Sequence, residues 1–172
     1  MKVSQNWLKT LVEINTTPDD LSEKLSIGGF EVEALIDCKK NVQGVVLGKV
    51  LSVVKHENSE KLSICNVDIG GSNSLQIICG AKNIKPNIHV YVATVDAHLS
   101  AINLTIKRSE IRGVMSEGMI CSLQELGIEE SSEGIAIINE EIASKHKLGT
   151  SAALLLDLND YIYDLAITAN RP

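Results

Sequence analysis

The spacing of apolar positions changes about a quarter of the way along the chain. In "VSQNWLKTLVEI", Trp7, Leu8, Leu11 and Val12 recur on one side at helical spacing, with Ser4 placed as N-cap. "TTPDDLSEKLSIGGFEVEAL" then offers Thr17 as N-cap, Pro18 at the first helical position, Asp20 in capping-box register and Gly28 as a stop. Two short helices and a short strand from Phe30 are predicted. Beyond these, "VVLGKVLSVVK", "KLSICNVDIG", "SLQIICG", "IHVYVATV" and "AINLTIKRSEIRG" are β-branched or alternating runs separated by Gly, Asn, Ser or Pro. Five strands at this spacing predict a small closed antiparallel barrel. "SLQELGIEESSEGIAIINE" reads as a helical turn, an acidic loop and a short strand near Ile135, and "YIYDLAITANRP" reads as a further strand. The expected fold class is mainly β with an α+β flank: a five-stranded barrel inserted into a small, mainly helical domain. The seams fall at Lys39–Val42 and His146–Ser151, giving a barrel over 41–149 and a scaffold made of 1–40 and 150–172.

Charge changes the picture by its placement. The net charge of −6 offers phosphate no global attraction. From Lys49 to Arg112, however, eight Lys/Arg stand against five Asp/Glu, a balance of +3, and from Glu117 to Glu141 seven Glu stand without a base. A nucleic-acid partner is therefore expected at a local patch in the middle of the chain. Cys38, Cys65, Cys79 and Cys121 show no CxxC spacing and sit mostly in apolar runs, so neither a zinc site nor a disulfide framework is expected. No apolar run approaches the roughly 18 residues of a membrane span, and the first residues are polar or charged where a signal peptide is apolar. A reduced, cytoplasmic protein with no membrane partner is the expectation.

Two stretches carry candidate chemistry. In "VKHENSEKL", Lys55, His56 and Lys61 flank the first barrel hairpin, where a cationic rim would meet phosphates. The plain alternative is a solvated loop, with Asn58 and Ser59 serving the turn and the charges serving solubility. His56 reads as a hydrogen-bonder more than a charge, with no catalytic role. In "KRSEIRGVMSEGMICS", Lys107, Arg108 and Arg112 lie at a strand end, and Ser116 and Ser122 add hydroxyls in the following loop. Here the alternative is turn chemistry: Gly113 and Gly118 at positive φ, with Met119, Ile120 and Cys121 in the core. Arg108 and Arg112 are the stronger of these candidates for RNA; Lys82 and Lys85 offer an extension of the patch, the plain alternative being that they are exposed, solvated lysines. Cys79 and Cys121 have no histidine and orienting carboxylate in any motif, so no catalytic residue, metal ligand or cofactor-binding residue is assigned. Between Val45 and Ile138 the only ring besides histidine is Tyr91. Stacking on single strands is thereby disfavoured, and recognition of folded RNA by backbone and shape fits better.

A five-stranded barrel with a basic middle points to the oligonucleotide-binding fold. "MKVSQNWLKTLVEI", "LSIGGFEVE", "LGKVLSVVKHENSEKLSICNVDIGG", "LQIICGAKNI", "IRGVMSEGMICSLQELGI" and "AITANRP" together resemble the beginning of the bacterial phenylalanyl-tRNA synthetase beta chain. The middle portion alone is similar to the tRNA-binding module also found in some methionyl synthetases and in free-standing tRNA-binding proteins. The resemblance implies a barrel inserted into one small domain, a chain continuing into editing and anticodon-binding domains, and partners in tRNA(Phe) and an alpha chain of an alpha2-beta2 assembly. It implies ATP and magnesium for the full enzyme, with the aminoacylation site on the alpha chain and no cofactor in this fragment. The chain departs from the family's usual loop at Glu57 and Glu60, where Pro and Asp are common, and at Lys82. Two other readings stay open: a packing module with incidental RNA contact, and a free-standing tRNA-binding protein.

Overall fold

In the computed structural model, which describes residues 1–166, the chain divides into two compact units. One joins residues 1–39 to those from Asp157 on, and the other is Lys40–Leu156. The closing "ITANRP" lies outside the described residues.

The smaller unit begins with strand β1 (Lys2–Ser4), helix α1 (Gln5–Lys9), helix α2 (Pro18–Ile27) and strand β2 (Val32–Asp37). Ser4 Oγ accepts the N–H of Trp7 at 3.0 Å and Thr17 Oγ1 that of Asp20 at 3.1 Å, so each helix begins where its cap side chain satisfies an otherwise orphaned donor. Gly28 closes α2, its N–H reaching Lys24 O at 2.9 Å. The unit is α+β rather than mainly helical, because the strand Tyr161–Leu165 lies between β1 and β2 in a three-stranded antiparallel sheet. β1 is too short to show a period, and its partner is remote in sequence. Tyr163 is fully buried at the sheet's centre, and its hydroxyl donates to Gln5 Oε1 at 3.0 Å. The predicted helical stripe is not core: α1 ends at Lys9, before Leu11 and Val12, and Trp7, Leu11 and Val12 are 56%, 66% and 57% exposed.

The larger unit runs β3 (Val45–Lys55), β4 (Ser63–Asp68), β5 (Leu75–Cys79) and β6 (His89–Thr94). Then follow β7 (His98–Leu99), β8 (Leu104–Thr105), β9 (Ser109–Ile111), β10 (Val114–Ser116), β11 (Gly118–Ile120) and β12 (Ile137–Ile138). Helices α3 (Glu140–Ala143) and α4 (Ala152–Leu155) complete it. Five strands form a nearly closed, barrel-like antiparallel sheet in the order β11-β6-β3-β4-β5, with β12 added to β6. β3 serves both sides of the curl: Val45–Lys49 pair with β6, Lys49–Lys55 pair with β4, and the register shifts between Val50 and Ser52. A bulge increases local twist and bends the strand, as a closing sheet requires. Across the gap Glu117 N–H donates to Gln76 O at 2.8 Å and Ile78 N–H to Ser116 Oγ at 3.1 Å. The interior is filled by Val50, Cys65, Val67, Ile77, Val90, Val92 and Ile120. Gly48 makes room for it, since a Cβ there would lie 2.6 Å from Val92 Cγ2 and 3.0 Å from Val67 Cγ1.

The first four predicted strands are present, but the fifth is not "AINLTIKRSEIRG". That stretch contributes β8 and β9 to two separate hairpins, β7–β8 and β9–β10, and the fifth sheet strand is β11. The alternation of Ile102, Leu104 and Ile106 does not track burial: only Ile106 is buried, while the others are 41% and 42% exposed. β11 has three residues beginning at a glycine, too few to display a period.

Candidate nucleic-acid interface

Lys55 ends β3 and begins the loop that returns at Ser63 as β4. His56 N–H donates to Leu62 O at 3.0 Å, extending the ladder by one rung, and Ser59 N–H reaches His56 O at 3.2 Å. The loop is therefore a tight, hydrogen-bonded turn. His56 itself is only 4% exposed. Its Nδ1 accepts the N–H of Asn58 at 3.1 Å, which assigns the ring proton to Nε2, and Nε2 faces Ile111 O at 3.2 Å. The histidine is a hydrogen-bonder, as expected, but it spends both nitrogens inside the protein and presents neither to a ligand.

Arg112 comes to the same place from the β9–β10 hairpin. Ile111 pairs with Val114, leaving Arg112 and Gly113 as a two-residue loop with φ of 51° and 87°. Positive φ at both positions is the turn whose twist matches an antiparallel pair, and it ordinarily selects Asn, Asp or Gly at the first. Arginine there is a strained choice. Its Nη1 donates to Asn58 O at 3.1 Å, which uses one of the guanidinium's five donors.

Lys55, Glu57, Asn58, Glu60, Lys61 and Arg112 line one open cleft of about 840 Å³, with the buried His56 in its wall. A second cleft of about 550 Å³ shares Lys55, Glu60 and Lys61 and continues to Lys82. Four predicted cations thus lie along one path: Arg112, Lys55, Lys61 and Lys82. None of these four is in an ion pair among the described residues. Glu57 and Glu60 dilute the field without cancelling it.

The other candidates fall elsewhere. Arg108 is paired with Glu117 at 3.0 Å on an exposed site, and Lys107 is exposed outside both clefts. Ser116 is 3% exposed, accepting from Ile78 N–H and donating to Gly118 O at 3.1 Å, so its hydroxyl is consumed in closing the sheet. Ser122 caps a helical turn: its Oγ accepts Glu125 N–H at 3.2 Å while Glu125 Oε2 takes the N–H and O–H of Ser122 at 2.7 and 2.8 Å. Cys121 is buried, which pushes its thiol up to about 12, and Met119 is half-buried. Gly113 has the expected positive φ; Gly118 instead serves space, since a Cβ there would meet Ala93 O at 2.9 Å. Sequence reasoning missed the bridging part of Asn58, which it read as turn chemistry alone. The signal available was the pair Arg112-Gly113 between two short alternating runs, a hairpin mark.

Among the described residues no three or more His, Cys, Asp or Glu side chains come together as a ligand set for a metal ion, and no helix is long and apolar enough to cross a membrane.

Residues 45–147 match the family described as "Putative tRNA binding domain", and the chain belongs to that family. The match spans every strand of the barrel-like sheet and both clefts. Over all 172 residues the chain is 82% identical to the phenylalanine–tRNA ligase beta subunit of Prochlorococcus marinus subsp. pastoris and 78% identical to that of another Prochlorococcus marinus strain. It is 54% identical over the same length to the corresponding subunit of a Synechococcus strain. The chain spans about a fifth of the length of these relatives, 21% in each case.

Proposed function

We propose that this chain is the tRNA-docking portion of a phenylalanine–tRNA ligase beta subunit, an oligonucleotide-binding barrel that holds the backbone of folded tRNA(Phe) along the path Arg112–Lys55–Lys61–Lys82. The observation that carries the reading is that these four cations, drawn from strand ends and loops up to 57 residues apart, line two clefts with shared walls. Such a rim supplies sequence-independent phosphate contacts, which position an RNA without reading its bases. The scarcity of rings in this region agrees with contact by backbone rather than by stacking. Attachment of phenylalanine, with ATP and magnesium, belongs to the assembly with an alpha subunit in the cytoplasm, and no residue of this chain is given a catalytic part.

The test is titration of tRNA by fluorescence anisotropy across a salt series. Binding is expected in the range of roughly 10⁻⁴ to 10⁻⁶ M at physiological salt. Lys61→Ala and Arg112→Ala are each expected to flatten the log-log salt dependence by about 0.7 to 0.9, and Lys85→Ala to leave it alone. Equal slopes and affinities for all variants would move these residues out of the contact surface and favour a packing role for the barrel.

A further inference from the structure

Two hairpins far apart in sequence are fastened at one point. The loop after β3 presents His56 Nε2 to Ile111 O at 3.2 Å and Asn58 O to Arg112 Nη1 at 3.1 Å, while Asn58 Nδ2 lies 3.5 Å from Arg112 O. The buried ring touches both sides of this junction. With Nδ1 accepting from Asn58 N–H, the loop is folded back so that the Asn58 carbonyl points at the guanidinium, and Nε2 holds the strand that delivers Arg112. Arg112 is itself in the left-handed region, a conformation that persists only where surroundings enforce it.

We propose that His56 is a positioning residue for the RNA cleft, a clip between the 56–62 loop and the β9–β10 turn that makes Arg112 and Lys61 face one phosphate path. The proposal rests on the RNA reading above. A preformed rim spares the ordering of a loop and an arginine at the moment of binding, and affinity gained this way is lost when the clip opens.

Three variants of the whole chain separate the parts. His56→Phe fills the space without hydrogen bonds and is expected to weaken tRNA binding roughly three- to tenfold. His56→Asn keeps an acceptor for Asn58 N–H, and His56→Gln keeps a donor toward Ile111 O; each is expected to recover part of the affinity. In the free chain, ring nitrogen NMR at neutral pH is expected to show a bare Nδ1 and a protonated Nε2. His56→Phe binding like wild type while Arg112→Ala is weakened would overturn the clip alone, as would a protonated Nδ1 at neutral pH. Absence of any salt-dependent tRNA binding by the wild type would overturn the RNA reading and the clip's purpose together.

Discussion

Arg112 Nη1 donates to the carbonyl of Asn58 at 3.1 Å across 54 residues of chain, from a backbone position whose φ of 51° suits asparagine better. The side chain is thus retained against the local preference of its turn, and strain of this kind points from geometry to function. Arg112→Asn creates the Asn-Gly pair most favoured in a two-residue hairpin loop. Thermal unfolding of this variant is expected at or above the wild-type Tm, while its tRNA affinity falls several-fold. A variant that loses stability and keeps its affinity would show the arginine to be structural.

Asp160 anchors the smaller unit in a way that depends on pH. Partial burial pushes its carboxyl up, but hydrogen bonds from Ser4 Oγ, Asn6 N–H at 2.9 Å and Tyr161 N–H at 2.7 Å, with the charge of Lys9, outweigh that and hold it below the usual carboxylate range. A depressed native pKa means the unfolded state binds the proton more readily, so this stability is present above the unfolded-state value and is lost as pH falls through the folded one. Asp160→Asn is expected to destabilise the smaller unit by about 1 to 2 kcal/mol at neutral pH and to reduce the loss of stability between neutral pH and ~3. Hydrogen exchange at Asn6 and Tyr161 across pH checks it; an unchanged acid profile in the variant contradicts it.

What could be read from the sequence was local. Thr17 and Gly28 cap α2 because their effect is complete within one turn of chain, and β3 to β6 carry long β-branched runs whose period is visible without partners. What was hidden is non-local. β11 is defined by pairing with β6, and the strand Tyr161–Leu165 makes a sheet of two flanks whose partners are remote in the chain. For the site, the polar loop announced the cations but not the burial of His56, which depends on Ile111 arriving from another hairpin. Arg108 and Arg112 look equivalent in sequence; Glu117 separates them by claiming the first.

Ser122 tests whether hydroxyls near the acidic loop touch RNA. Its Oγ and Glu125 Oε2 form a reciprocal cap, and neither residue lines the cationic clefts. Ser122→Ala is expected to lower stability by about 1 kcal/mol and to leave the salt slope of tRNA binding unchanged. A flattened slope with intact stability would place Ser122 on the RNA instead.

Gly48 is where the barrel's closure is most exposed to a single atom. It lies in the half of β3 that pairs with β6, opposite Val90, and the two valines that a Cβ would strike, Val67 and Val92, are fully buried on neighbouring strands. Neither valine has solvent to move into, and a β-branched side chain in a strand has few alternative rotamers, so relief must come from parting β3 from its neighbours. Gly48→Ala is expected to destabilise the larger unit by about 1 to 3 kcal/mol despite the gain in strand propensity. Chemical denaturation would show this as a lower midpoint at unchanged m. Because Lys55 ends the same strand and Lys61 lies in the loop that follows it, tRNA affinity should also fall under conditions where the fold is only marginally stable, and recover where it is not. A midpoint equal to the wild type's would mean that the strands around Gly48 do not close as tightly as the packing of Val67 and Val92 requires.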